Sequence, residues 1–185
     1  MIIRTALFVL LFTLPDLHEY ALAETLPGID FFNACSGGDV DQVAKSLEEH
    51  PTWINAFTEN GETCLHLTGI YGHSAVTKLL LKKGADPNIR STYEMGLRMH
   101  PLSWNVYGGH LDNIELLLEF GADINLDFDS MKGDGVAVTS LDVLLELLKN
   151  EKGDGRFVAI EKVFKKYGAK TMDQLKNQQE GKEEL

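Results

Sequence analysis

Apolar residues recur along this chain in short bursts with helical spacing, and glycine punctuates them at regular intervals. Val43 and Leu47 stand at i and i+4. Val76, Leu79, Leu80 and Leu81 form a second burst, Ile114, Leu116, Leu117 and Leu118 a third, and Phe157, Val158, Ile160, Val163 and Phe164 a fourth. Another short apolar stretch precedes the second burst at Leu65 and Leu67, with Gly72-His73 between them; Gly38-Asp39 and Gly109-His110 hold the same place elsewhere. The pattern predicts pairs of short helices joined by tight turns. A pair this small cannot bury both apolar faces by itself, so neighbouring pairs must stack.

The clearest unit is NGETCLHLTGIYGHSAVTKLLLKKGADPN, residues 60–88. It resembles the ankyrin repeat, whose pattern runs from T-P-L-H at the first helix to G-A-D-x-N at the end. Thr63-Cys64-Leu65-His66 matches three of the four opening positions, with Cys64 in place of proline, and Gly84-Ala85-Asp86-Pro87-Asn88 matches the closing loop. His100-Pro101-Leu102-Ser103-Trp104 and Gly121-Ala122-Asp123-Ile124-Asn125 repeat the motif. The first unit is partial: residues 31–39 and 40–49 read as its helices, and His50-Pro51-Thr52-Trp53-Ile54-Asn55 replaces the closing loop. The fourth is irregular, opening at Thr139-Ser140-Leu141-Asp142-Val143 and ending at Tyr167-Gly168-Ala169, with a lengthened turn over residues 150–156.

The resemblance implies an all-α ankyrin-repeat solenoid of about four helix-turn-helix repeats with hairpin loops, spanning residues 29–171. Residues 172–185 read as a polar C-terminal tail that frays. Lys162, Lys165 and Lys166 suit the wet face of a terminal cap.

The resemblance also implies a protein partner, met by the loop tips and the exposed side of the first helices. Carried onto this sequence, those positions are Glu59, Asn60, Glu62, Ile70 and Tyr71 in the second repeat and Met99, Tyr107 and Gly108 in the third. From Gly84 to Gly121 the offset is 37 residues, four more than the usual period, and the excess falls in the loop 89–99. Insertions of this kind mark the loop face, which adds Arg90, Tyr93, Glu94 and Arg98 to the candidate partner-binding residues.

The first 23 residues have the form of a signal peptide: a basic start at Arg4, an apolar run over residues 5–14, and Ala21-Leu22-Ala23 before Glu24. The run is too short to span a bilayer. Export to the periplasm or secretion is the first expectation. The final Lys182-Glu183-Glu184-Leu185 resembles the K-D-E-L retention signal, which makes a lumenal adaptor of the endoplasmic reticulum the alternative. Removing residues 1–23 deletes Arg4, Asp16 and Glu19 and leaves 16 basic and 26 acidic residues.

A net charge of −11 argues against nucleic acid, whose phosphates call for cations. Enzymatic signatures (nucleophile elbow, P-loop, H-E-x-x-H) are absent, so catalytic residues, metal and cofactor are all expected to be none. His66, His73 and His110 stand where ankyrin repeats use histidine to hydrogen-bond loop backbone, and their spacing fits no zinc motif. The acidic loop Asp127-Phe128-Asp129-Ser130-Met131-Lys132-Gly133-Asp134 fails as a calcium loop, because Met131 and Lys132 stand where an oxygen ligand and glycine are needed. It reads instead as a hairpin insertion.

Only two cysteines are present. Aligning Gly38 with Gly72 sets Cys35 opposite Gly69, five residues from Cys64. That distance, about 7.5 Å along a helix, plus the roughly 8–10 Å between packed helices, exceeds disulfide reach. Two buried thiols are therefore expected. The function expected from these readings is a non-catalytic protein-binding module, monomeric or in a heterocomplex: a periplasmic inhibitor or immunity protein against a toxic hydrolase, or a protector of a partner enzyme.

Overall fold

The structure, a computed structural model, describes residues 26–92, 98–130, 135–151 and 154–183. The expected signal peptide, Tyr93, Glu94, residues 131–134 of the acidic loop and the last two residues of the retention-like ending lie outside them.

Four helix pairs stack in sequence. Helices α1 (Ile29–Gly37) and α2 (Val40–Glu49) make the first, and α3 (Cys64–Tyr71) and α4 (Ser74–Lys82) the second. The third is α5 (Pro101–Gly108) with α6 (Leu111–Glu119), and the fourth α7 (Ser140–Asn150) with α8 (Gly155–Lys166). The first members pack on one another as an inner layer, α1 on α3 on α5 on α7, and the second members form an outer layer, α2 on α4 on α6 on α8. One continuous core runs between the layers through Phe31, Val43, Leu65, Leu80, Leu102, Ile114, Leu144 and Ile160. The four apolar bursts of the sequence lie on the outer helices and turn mainly into the core, with Val158, 39% exposed, the exception.

Local chemistry sets the boundaries. Gly38, Gly72 and Gly109 end the inner helices at φ of +75°, +82° and +70°, left-handed backbone that glycine adopts without a steric penalty. Asp39 caps α2 by accepting from the Gln42 amide at 3.0 Å. Pro51 then stops α2, and a single 3-10 turn, Pro51–Asn55, takes the place of the usual closing loop.

The closing asparagines explain why the repeats keep their register. Asn55 Oδ1 accepts from the Asp86 amide at 3.0 Å, Asn88 Oδ1 from the Asp123 amide at 2.7 Å, and Asn125 Oδ1 from the Lys170 amide at 2.7 Å. Each repeat thus ties its last residue to the loop of the next, satisfying a backbone donor that has no helix to serve.

The hairpins are short. Phe57 and Thr63 form an isolated antiparallel bridge. The acidic insertion is a two-stranded ribbon, β1 (Asp127–Asp129) against β2 (Ala137–Thr139), with Phe128 wholly buried and Asp127 and Asp129 exposed.

Three expectations need correction. The polar tail does not fray: Met172–Glu183 forms a helix, α9, tied to the stack because the Met172 amide donates to Asp142 Oδ2 at 2.9 Å. Met99 is not a surface residue. Its side chain is fully buried, because the insertion loop has already returned to the core when it reaches the start of α5, and its carbonyl receives hydrogen bonds from His66 Nε2 and the Ser91 amide, both at 3.1 Å.

The third correction concerns the cysteines, which are joined as a disulfide, Cys35–Cys64, with a Cα–Cα distance of 5.4 Å. The expectation of two thiols placed equivalent residues of neighbouring inner helices side by side and added a full helix spacing. In the structure the start of each inner helix faces the second half of the one before. The equivalent pair one repeat on shows the same approach: a Cβ on Gly69 would stand 3.3 Å from the Pro101 carbonyl oxygen. Cys35 and Gly69 occupy equivalent positions, as do Cys64 and Pro101.

Candidate functional site

The inner helices present one face away from the core, and the repeat register decides what lies on it. Counting back from the terminal glycines aligns Ser36, Ile70 and Tyr107; counting from the caps Thr63, His100 and Thr139 aligns Glu146 with them. A second row aligns Asn33, Leu67, Trp104 and Val143, the last of them buried in the core. Along the stack this face changes character. It is polar at Asn33 and Ser36, apolar and aromatic at Leu67, Ile70, Tyr71, Trp104 and Tyr107, and acidic at Glu146.

Tyr71 is the most open of these, with 56% of its surface exposed, and its ring stacks on His73 at 6.2 Å between centroids. Tyr107 is half-buried against the core. Burial, and after it the negative charge of Glu146, raise its phenol pKa above the ordinary value. Trp104 carries a buried indole Nε1 with no hydrogen-bond partner among the described residues. An aromatic patch with little side-chain entropy to lose suits protein contact.

The histidines sit beneath this face and hold it. His66 is fully buried. The Thr63 amide donates to its Nδ1 at 3.1 Å, so Nε2 carries the proton and donates to the Met99 carbonyl at 3.1 Å. Desolvation lowers its pKa from 6.5 to about 4, keeping the ring neutral. His73 Nε2 meets the Ser36 carbonyl at 2.7 Å, and His110 Nε2 meets that of Ile70 at 3.5 Å. Each ring reaches back to the preceding repeat. Among the described residues, no group of three or more His, Cys, Asp or Glu is placed to hold a metal ion.

The loop residues divide. Glu59 and Asn60 are exposed at the tip of the first hairpin, while Glu62 Oε2 accepts from the Thr58 hydroxyl at 3.0 Å. Arg90 serves the fold itself. Its Nε donates to the Arg98 carbonyl at 2.8 Å and its guanidinium to the Asp127 carbonyl at 3.0 Å. It closes the neck of the insertion loop and fastens it to β1. Arg98 is exposed, with φ +46°.

Ile70 and Tyr107 therefore hold equivalent positions on adjacent inner helices, Tyr71 is exposed one position further along, Glu59 and Asn60 are exposed in the first hairpin, and Met99 belongs to the core. Trp104 and Glu146 were missing from the sequence-derived set. Alignment on the caps was the available signal, since it places Trp104 level with Leu67 and Glu146 level with Tyr107.

A family model of ankyrin repeats in three copies matches residues 31–128. The chain belongs to the ankyrin-repeat family. It is similar to the transient receptor potential cation channel subfamily A member 1 homolog of Caenorhabditis elegans, 33% identical over 52% of this chain and 8% of the channel. It is also similar to the ankyrin repeat-containing protein P1E11.10 of Schizosaccharomyces pombe, 41% identical over 37% of this chain and 32% of that protein. The ankyrin repeat and SAM domain-containing protein 6 of Rattus norvegicus is 29% identical over 52% of this chain and 11% of its own length. The chain thus spans a minor part of these curated relatives. Ankyrin repeats are protein-interaction modules, generally without catalysis of their own. No described helix of this ankyrin-repeat chain is long and apolar enough to cross a membrane.

Proposed function

We propose that this ankyrin-repeat chain is an exported, non-catalytic binder that holds one protein partner against the inner-helix face. The observation carrying the reading is the run of apolar and aromatic residues at the inner-helix positions that repeat register aligns, Leu67 with Trp104 and Ile70 with Tyr107, beside the exposed Tyr71. Aromatic side chains in such a setting are the residues on which interface energy concentrates. A rigid face of this kind blocks a partner's cleft by occupying it, which fits an inhibitor or immunity protein against a hydrolase and needs no chemistry from the binder.

Export is supported by the disulfide Cys35–Cys64 and by the signal-like first 23 residues, because such bonds persist in oxidising compartments and are rare in reducing ones. Two measurements test the reading. Affinity capture from native extract is compared between the chain lacking residues 1–23 and its Tyr71→Ala/Tyr107→Ala variant. One dominant partner, lost in the variant, is expected; equal capture by both moves the interface off this face. Cells lysed into denaturant containing a thiol-blocking alkylator should yield protein with no label on Cys35 or Cys64, whereas full labelling would place the chain in a reducing compartment.

A further inference from the structure

The disulfide joins the first repeat to its neighbour. Helix α1 packs on α2 and α3, and α2 on α4, but among the described residues nothing covers the opposite flank, where Leu26 and Ile29 are 72% and 71% exposed. Beyond apolar contact, hydrogen bonds among the described residues also cross this interface. His73 Nε2 meets the Ser36 carbonyl at 2.7 Å, and Asn55 Oδ1 accepts from the Asp86 amide at 3.0 Å. Stacked repeats have roughly additive stability, so a unit with one interface among the described residues opens more readily than one held on both sides. Both cysteines of the bond that crosses this interface are completely buried.

We propose that Cys35–Cys64 is a redox latch on the first repeat: oxidised, it keeps residues 29–55 docked, and reduced, it lets them open as a unit while the other three repeats stay folded. The inference goes beyond the binding function and stands whatever the partner or compartment. The chemistry is thiol–disulfide exchange with a dithiol. A thiolate of the dithiol attacks one sulfur, the S–S bond breaks, and a mixed disulfide forms. The dithiol's second sulfur then displaces the protein thiolate. Two electrons and two protons end on Cys35 and Cys64 as thiols, and the dithiol leaves as its own disulfide. Because both sulfurs are shielded, attack waits for the interface to part, so the reduction rate should level off as dithiol is raised.

Opening removes Asn33 and Ser36 from the polar end of the inner face and uncovers the flank of α3. The bond closes a loop between residues 29 apart in sequence, which corresponds to about 400-fold in the opening equilibrium.

Hydrogen exchange read by mass spectrometry, with and without dithiothreitol in native buffer, tests the latch. Peptides from α1 and α2 should exchange about 400-fold faster after reduction, with α5 to α8 unchanged, and oxidised glutathione should restore protection. Equal acceleration from α1 through α8, or none in α1 and α2, overturns the proposal. A second variant guards against damage by the reductant. Cys35→Ala/Cys64→Pro places at the α3 start the residue that Pro101 supplies to α5, a position proline fits. It should show the reduced pattern without any reductant, and the oxidised pattern in this variant would equally overturn the latch.

Discussion

Gly69 lies directly under Asn105: a Cβ built on the glycine would stand 2.6 Å from Asn105 Nδ2 and 3.3 Å from the Pro101 carbonyl oxygen. The amide cannot swing aside freely, because Nδ2 donates to that same Pro101 carbonyl at 2.8 Å. Both residues are buried in the contact between α3 and α5. Gly69→Ala should therefore destabilise the fold by about 1–3 kcal/mol through overpacking. Gly155→Ala provides the contrast. Gly155 opens α8 with nothing within 4 Å of a new Cβ, so alanine there should be neutral or stabilising by about 0.5–1 kcal/mol. Urea unfolding of both variants beside the parent checks the pair, and a Gly69→Ala midpoint equal to the parent's would contradict the packing argument.

His66 makes stability depend on pH. Its pKa falls from 6.5 in the unfolded chain to about 4 in the fold, so between those values the unfolded chain binds a proton that the native chain refuses. The stability tied to this ring is complete above pH 6.5 and declines as pH falls toward 4. At about 1.4 kcal/mol per unit, the loss reaches about 3 kcal/mol. Urea midpoints at pH 7.5, 5.5 and 4.5 should show the decline, and His66→Gln should flatten it while lowering stability at pH 7.5. A parallel decline in that variant would assign the effect to other groups.

The glycines, the closing asparagines and the backbone-bound histidines were legible because each serves a fixed backbone need, and a fixed need leaves the same residue at the same repeat position. Gly72 and Gly109 or Asn88 and Asn125 could be paired by eye for that reason. The disulfide was not legible. It depends on how far one helix is staggered against the next, a tertiary quantity that spacing along a single helix does not contain. Met99 was misplaced on similar grounds, since a count of residues in an insertion does not say where the loop turns back into the core. Helix α9 was missed because its sequence is polar apart from Met172 and Leu175; its start is tied by a hydrogen bond to Asp142, thirty residues away. The inner face was half legible. Tyr71 and Tyr107 stood out as aromatics, whereas Trp104 and Glu146 become part of the face only when the repeats are laid in register.

Tyr107 and Glu146 occupy equivalent places on adjacent inner helices, and the second raises the pKa of the first. Burial is the larger cause, so Glu146→Gln should lower the Tyr107 transition without returning it to the value of a free phenol. Absorbance titration of the parent, of Glu146→Gln and of Tyr107→Phe isolates this ring by difference. An unchanged transition in Glu146→Gln would mean that the two side chains are electrostatically separate, and the acidic end of the inner face would then lie apart from its aromatic centre.

Asp142 ties the last repeat to the tail. Its Oδ2 accepts from the Thr139 amide and the Met172 amide, each at 2.9 Å, and lies 3.0 Å from the Thr139 hydroxyl, which in turn lies 2.8 Å from the Lys170 carbonyl oxygen. One carboxylate oxygen thus serves both the capping box of α7 and the first turn of α9. Asp142→Ala should cost about 1–2 kcal/mol by removing the cap. It should also release α9, because the Lys170 amide would remain bound to Asn125 while Met172 lost its anchor to α7. Limited proteolysis reads the second effect separately from the first: cleavage within residues 172–183 should accelerate well before the repeats themselves are cut. If cleavage of the tail and of the stack accelerated together, α9 would be part of the cooperative unit rather than an element hung from it by Asp142.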